Sequence, residues 1–265
     1  MRLNKYISHN TKYSRREADK LIEEGRVKIN RQVVKEHGVT VKEGDRVYVN
    51  DRLVKPQTKF TVIVYHKPKG ELVTKKDDRG RKTVYDSLPK KFSHFIPIGR
   101  LDFASEGLLL LTDSPKVASS VMESSLERVY YLKIRGSVTP EMEKAMQEGL
   151  TLKDATKGAH EKTKEKSMTF APFVAYKIIK NSPTFSKLKV VISEGKNREL
   201  RRFFAHFDRE VVDLKRVSFG GVDLGVLKKG KTRYLTKKEY EDLKEFLKEL
   251  EKEKKDGKSK SSSKT

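Results

Sequence analysis

Apolar and polar positions along the chain change their pattern near residue 58. In the first stretch, Ser14-Arg-Arg-Glu17 forms a capping box, the Ser14 oxygen accepting from the Glu17 amide while the Glu17 carboxylate reaches back, so a short helix is predicted to begin there. Gly25 is its left-handed stop. Arg26-Val27-Lys28-Ile29-Asn30 then alternates as a strand, Val33-Val34 continues the apolar pattern, and Gly44-Asp45 turns into a strand at Arg46 to Val49.

From about Phe60 a longer mixed body begins. Thr61 to Tyr65 reads as a strand entering a turn at Lys67-Pro68-Lys69-Gly70. Ser114-Pro115 and Thr139-Pro140 each set an N-cap ahead of a proline at the first helical position, which predicts two helix starts. Tyr130 to Ile134 and Leu188 to Ile192 are apolar-rich strands, and Lys153 to Lys166 is a Lys-rich loop between them. Leu200, Phe203, Phe204 and Phe207 recur at i, i+3, i+4, i+7, one apolar face of a helix. A second capping box, Thr236 to Glu239, opens the last helix, and past Leu250 the low-complexity Lys/Glu/Ser composition predicts disorder. The chain therefore divides into 1–58, 59–250 and a basic tail, 251–265.

Charge sharpens this picture. The 265 residues carry 60 Lys and Arg against 37 Asp and Glu, a formal +23, which points to a polyanionic partner such as nucleic acid. The three segments hold +6, +14 and +3, so the folded body, not a tail, carries the basicity. With no cysteine there is no disulfide, thiolate metal site or cysteine nucleophile, which suits a reducing compartment. Met1 to Lys20 hold no apolar run and the longest aliphatic run is Leu108 to Leu111, so neither a secretory signal nor a membrane span is expected, and the cytoplasm is the expected location.

Motifs narrow the chemistry further. Gly225-Val-Leu-Lys-Lys-Gly230-Lys231-Thr232 matches the phosphate-loop pattern, but that loop needs a helix starting at its Lys-Thr, and the helix here is signalled only at Thr236, after extended Arg233-Tyr234-Leu235. Six scattered histidines give no metal-binding pair, and no Gly-rich cradle follows a strand, so neither a metal nor a cofactor is expected. Asp102 stands beside Arg100 and Leu101 just before a strongly apolar strand, where a carboxylate can be both desolvated and charge-paired. From the residues alone it is a nucleophile, a base or a turn-forming Asp. Arg198, Arg201 and Arg202 share the polar side of the helix start, either as a solvated face or as a clamp for phosphates or a buried carboxylate.

At these residues the sequence resembles pseudouridine synthases of the RsuA/RluB type. Gly99-Arg100-Leu101-Asp102 with Ser105-Glu106-Gly107-Leu-Leu-Leu-Leu-Thr-Asp113 resembles the family signature, and residues 2–50 resemble its S4-like RNA-binding domain. Lys67 to Gly70, Arg128-Val-Tyr130, Glu194 to Phe203, Leu214-Lys-Arg216 and Gly230 to Thr236 resemble further blocks in the family's order. The resemblance implies an α+β chain, a small N-terminal α/β RNA-binding domain followed by a synthase domain whose mixed, largely antiparallel sheet is flanked by helices. It implies Asp102 as the catalytic aspartate, Tyr130 as the tyrosine packing on the target base, and Arg201 as the arginine pairing with the aspartate. No metal and no cofactor are implied. Asp102 would attack the pyrimidine or the sugar, or remove a sugar proton.

Ribosomal RNA or a ribosomal assembly intermediate is the implied partner of a monomeric protein, by layout more the large-subunit (23S) rRNA than the small-subunit (16S) one. A non-catalytic RNA-binding or ribosome-assembly factor is the alternative. In the N-terminal domain the expected RNA contacts are Lys5, Ser14, Arg15, Arg16, Lys20 and Arg26. In the body they are Lys67, Arg100, Lys196, Arg198 and Arg202. Two features depart from the family pattern: His66 stands where Asn is more usual, and the 153–166 loop is unusually rich in lysine.

Overall fold

The computed structural model describes residues 1–160 and 163–261, with side chains in the last helix as far as residue 253. Two helices open the chain, α1 (Leu3–Asn10) and α2 (Arg15–Glu23). The Ser14 capping box starts α2 as expected, with Glu17 N donating to Ser14 Oγ at 3.2 Å and Ser14 N to Glu17 Oε2 at 2.7 Å. Gly25 ends the helix at φ +70°. Four short antiparallel strands follow, β1 (Val27–Ile29), β2 (Gln32–Val33), β3 (Val47–Val49) and β4 (Arg52–Leu53), in the spatial order β2-β1-β3-β4. Leu3, Ile7, Leu21, Ile22, Val27 and Val47 close a small core between helices and sheet.

The body is built on one large sheet. In chain order its elements are β5 (Val62–Lys67), α3 (Val84–Ser87), β6 (Ile96–Ile98), β7 (Glu106–Thr112), α4 (Pro115–Met122), β8 (Arg128–Arg135) and α5 (Pro140–Glu148). A separate hairpin, β9 (Leu150–Leu152) with β10 (Met168–Phe170), comes next. Then come β11 (Ala175–Lys180), β12 (Phe185–Ile192), α6 (Glu199–His206), β13 (Val211–Phe219), β14 (Val222–Asp223), β15 (Thr232–Tyr234) and α7 (Lys237–Ser261). The sheet runs β11-β12-β8-β13-β7-β5-β15, with β6 on β7 and β14 on β13, and every pairing is antiparallel except β13 with β7. It is the mixed, largely antiparallel sheet of an α+β protein.

Burial explains the strand sequences. On one face, here the front, Leu132, Ile134, Leu188 and Val190 pack with Met142 and Met146 of α5 and with Leu200, Phe203 and Phe204 of α6. On the back, Val62, Val64, Leu108 and Leu110 pack with Val117 and Val121 of α4 and with Leu243 and Leu247 of α7. β5 and the middle of β7 are thus covered on both sides and read as unbroken apolar runs, whereas β8 alternates because only its front face is covered. The phosphate-loop mimic is the turn leading into β15, which pairs with β5.

The tail departs from expectation. α7 continues through residue 251 to Ser261, because Glu and Lys are strong helix formers, and Lys116 of α4 pairs with Glu251 at 2.6 Å. Residues 262–265 of the expected tail lie outside the described residues.

Candidate active site

One cross-strand row organises the centre of the front face. Lys67 of β5 lies opposite Gly107 of β7, Gly107 opposite Arg216 of β13, and Arg216 opposite Tyr130 of β8. Gly107 has φ +113°, and a Cβ there would lie 2.1 Å from the Arg216 carbonyl oxygen, so only glycine lets the parallel pair approach so closely. The loop before it, Gly99 to Ser105, carries Asp102.

Lys67 ties that loop down. Its Nζ donates to the carbonyls of Pro68 at 2.9 Å, Asp102 at 3.1 Å and Ser105 at 2.8 Å, and Ser105 N closes a turn onto Asp102 O at 3.0 Å. Burial pushes the ammonium down to about 8, with Glu71, Asp102 and Glu106 pulling the other way. The residue is 0% exposed, so the expected RNA contact at Lys67 is corrected: it is a fastener beneath the loop.

The Asp102 carboxylate is held from the other side by α6. Arg201 Nε lies 3.3 Å from Asp102 Oδ2, its Nη1 donates to Val211 O at 2.9 Å, and its Nη2 to Ser105 Oγ at 3.0 Å. Burial lowers the guanidinium's pKa and Asp102 opposes that shift. Arg198 Nη1 adds a second cation 3.6 Å from the same oxygen, while its Nε donates to Gly158 O at 2.7 Å. The Asp102 side chain is 27% exposed. A carboxylate fixed through one oxygen, facing two guanidinium groups and still open to solvent, suits a group that must react with a large substrate.

Arg202 differs from its neighbours. It is fully buried, with Nε donating to Ala155 O at 2.7 Å and Nη2 to Glu165 O at 2.9 Å. The expected RNA contact at Arg202 is therefore also corrected: this arginine fastens the Lys-rich 153–166 loop onto α6. That loop in turn gives Arg198 its Gly158 carbonyl.

Tyr130 lies on the front face at 8% exposure, with no polar contact to Asp102 among the described residues, and joins the site through the row rather than by a bond. Arg100 is exposed beside Asp102. Lys196 Nζ is held by Thr169 O and by Glu194 Oε2 at 2.8 Å. His66 points to the back, its Nδ1 2.6 Å from Leu227 O, so the departure from Asn does not reach Asp102. In the N-terminal domain Arg15, Arg16 and Lys20 are exposed along α2, with Ser14 at its cap, and Lys5 is half-buried on α1. Arg26 is engaged by Asn50 Oδ1 at 2.7 Å and Glu24 Oε2 at 3.0 Å.

Four residues of the site escape a reading of the sequence. Ser105 is buried and orients Arg201. Gly107 makes room for β13. Arg216 is buried, with Nε on Leu108 O at 2.8 Å. Glu199, the first residue of α6, is buried and pushed up to about 7 by desolvation, opposed by the hydrogen bond it accepts from Lys196 N at 3.0 Å. Ser105 and Gly107 lie in the signature segment, but no local pattern reports their contacts.

This geometry has relatives. A family model for RNA pseudouridylate synthase matches residues 61–206, and one for the S4 domain matches residues 1–47. The chain is 58% identical over 249 residues to an uncharacterized RNA pseudouridine synthase of Helicobacter pylori (strain ATCC 700392 / 26695), covering 93% of this chain and 95% of that protein. It is 36% identical over 244 residues to the ribosomal large subunit pseudouridine synthase B of Bacillus subtilis (strain 168), covering 91% and 95%. Among solved structures, the crystal structure of a pseudouridylate synthase superposes with a TM-score of 0.61 at 28% identity, covering 92% of this chain and 99% of that one. A family model over more than half of the chain, with relatives that match nearly its whole length, shows that the protein belongs to the RNA pseudouridine synthase family, an isomerase acting on RNA.

Proposed function

We propose that this enzyme converts a specific uridine of ribosomal RNA, in the large subunit, to pseudouridine, with Asp102 as its catalytic carboxylate. The observation that carries the reading is the double guanidinium clamp on one oxygen of a solvent-open Asp102, 3.3 Å from Arg201 and 3.6 Å from Arg198. The reaction is an isomerisation in which the N1–C1′ bond breaks, the uracil turns, and a C5–C1′ bond forms. C5 gives up its proton and N1 gains one, so atoms and electrons balance without a co-reactant.

A stacked uridine is out of reach of any side chain, so the base must leave its stack at a cost of a few kcal/mol. Exposed Arg15, Arg16 and Lys20 on α2 offer the backbone contacts that offset this cost. Tyr130 offers a ring of low conformational cost for the flipped base. Arg201, oriented by Ser105 and the Val211 carbonyl, holds Asp102 in one rotamer through bonds already made before the RNA arrives. The large-subunit target is supported by the name of the Bacillus subtilis relative. Position-resolved pseudouridine mapping of both ribosomal RNAs, from cells with and without the protein, tests the proposal. Loss of one large-subunit site is expected, and an unchanged map would refute it.

A further inference from the structure

Past the cover of α4 and α7, the back of the sheet is open where β11, β12, β8 and β13 run side by side. Register places two rows of side chains there. The first is Lys177, Lys189, Tyr131 and Lys215, ending at Glu106. The second is Lys180, Lys187 and Lys133, ending at Asp213. At about 3.3 Å per residue the rows lie about 7 Å apart.

Both acids at the row ends are already engaged from outside the rows, Glu106 by Lys229 at 2.8 Å and Asp213 by Lys69. The six lysines of the rows form no ion pair among the described residues. They also face one another, Lys177 against Lys189, Lys180 against Lys187, and Lys187 against Lys133. Like charges directly opposite each other destabilise a sheet, so this arrangement opposes the stability of the free protein. A bound polyanion removes that opposition.

At the centre stands Tyr131, 43% exposed, with Lys189 Nζ 5.9 Å from its ring centroid. An open groove of about 500 Å³ runs past it, with exposed Ile179 on its far side. An aromatic face among cations that form no ion pair among the described residues, one of them, Lys133, resting 4.1 Å from the Phe185 ring centroid, is the combination that binds single-stranded nucleic acid, phosphates on the lysines and a base on the ring. The row ends at Glu106, and Lys69 on the same groove lies in the turn whose Gly70 N donates to Phe103 O of the Asp102 loop at 2.8 Å, so a strand leaving this back face along the groove meets the loop that carries Asp102 on the front.

We propose that this lysine and tyrosine face is a second RNA-binding surface, which takes single-stranded RNA flanking the reacting uridine. It deepens the proposed function by naming where the substrate lies beyond the flipped base. The test measures binding of the full chain to a 20-nucleotide oligouridine and to a 20-base-pair RNA duplex over a salt series. Lys133→Ala, Lys187→Ala and Lys189→Ala together are expected to weaken oligouridine binding at least tenfold and to reduce the slope of log affinity against log salt by about 2, since each phosphate contact contributes about 0.7 on single strands. Tyr131→Ala is expected to weaken the oligouridine about tenfold and to leave the duplex unchanged, because only an unpaired base stacks on the ring.

Lys144→Ala, Lys237→Ala and Lys238→Ala remove the same charge from exposed helix positions and are expected to leave oligouridine affinity within twofold. Parental affinity and slope in the face variants, or a loss no larger than in this control, would overturn the proposal, as would equal loss on duplex and single strand for Tyr131→Ala. The triple lysine variant of the face should melt at or above the parent, since it removes like charges that face one another across the strands. Oligouridine binding does not depend on which uridine reacts, so the outcome is readable even where no ribosomal site changes.

Discussion

Two helices that carry arginines near their starts, α2 and α6, use the same kind of side chain in opposite ways. On α2, Arg15, Arg16 and Lys20 stand in solvent, and no side-chain hydrogen bond or ion pair engages them among the described residues. At α6, Arg198 at the N-cap with Arg201 and Arg202 on the helix all bond to the protein, the first two reaching Asp102 and the last gripping two carbonyls of a loop. Burial makes the difference. A guanidinium in water remains a long-range, salt-screened attraction for phosphate, whereas one in the interior must satisfy its N–H groups and becomes part of the scaffold. Positive charge in a sequence therefore marks two populations, one left in solvent where it can attract a polyanion and one built into the scaffold around Asp102.

The sharpest way to break this division is Arg201→Gln. The change strips Asp102, Ser105 and the Val211 carbonyl of a shared donor, and turnover should fall about 10² to 10³-fold in single-turnover assays while RNA affinity stays within a fewfold. A proportionate loss of affinity would move Arg201 into the RNA-binding population. Next in size, Arg202→Ala leaves the buried carbonyls of Ala155 and Glu165 without their donor, and denaturant unfolding should show a loss of about 3 kcal/mol. If Arg202 contacted RNA instead, stability would hold and binding would weaken.

Glu199 sharpens the picture through pH. Its folded pKa of about 7 lies above the ordinary value of 4.5 for a solvated glutamate, so its stabilising contribution is complete below about 4.5 and is lost as pH rises through 7. Glu199→Gln removes that dependence, and the variant should match the parent near pH 4.5 and exceed it by about 2–3 kcal/mol at pH 8. The smallest effect belongs to α2. Arg15→Ala with Arg16→Ala should weaken RNA binding about tenfold and lower the salt slope by about 2, with a melting temperature that does not move.

Local chemistry was legible in the sequence wherever a structure depends on neighbours in the chain. The Ser14 and Thr236 capping boxes, the prolines opening α4 and α5, and the Gly25 stop all depend on contacts within a few residues, and all form. Lys67 and Arg202 read as surface cations in the sequence because their acceptors are distant in the chain. Asp102 and Ser105 lie 35 and 38 residues from Lys67, while Ala155 and Glu165 lie 47 and 37 residues from Arg202. Whether a lysine is solvated or buried among carbonyls is decided only when β5 joins β7.

The pairing of Arg201 with Asp102, separated by 99 residues, came from family resemblance and no local signal carries it. Gly107 looks like any loop glycine until the parallel strand β13 lies against it. α1 leaves little trace in the sequence, since only Leu3 and Ile7 mark its apolar buried face at helical spacing. The open back face was half-visible: the alternation of β8 exposes Tyr131 and Lys133, but the lysines opposite them come from β12.

The most direct test of the account pairs two numbers for Asp102→Asn: pseudouridine formed in a single turnover at saturating ribosomal RNA, and affinity for that RNA. The amide keeps the size of the carboxylate and removes its charge. The account predicts no detectable product with affinity close to the parent. Product at the parental rate would contradict it, and Asp102 would then be only the turn that Lys67 and Arg201 hold in place.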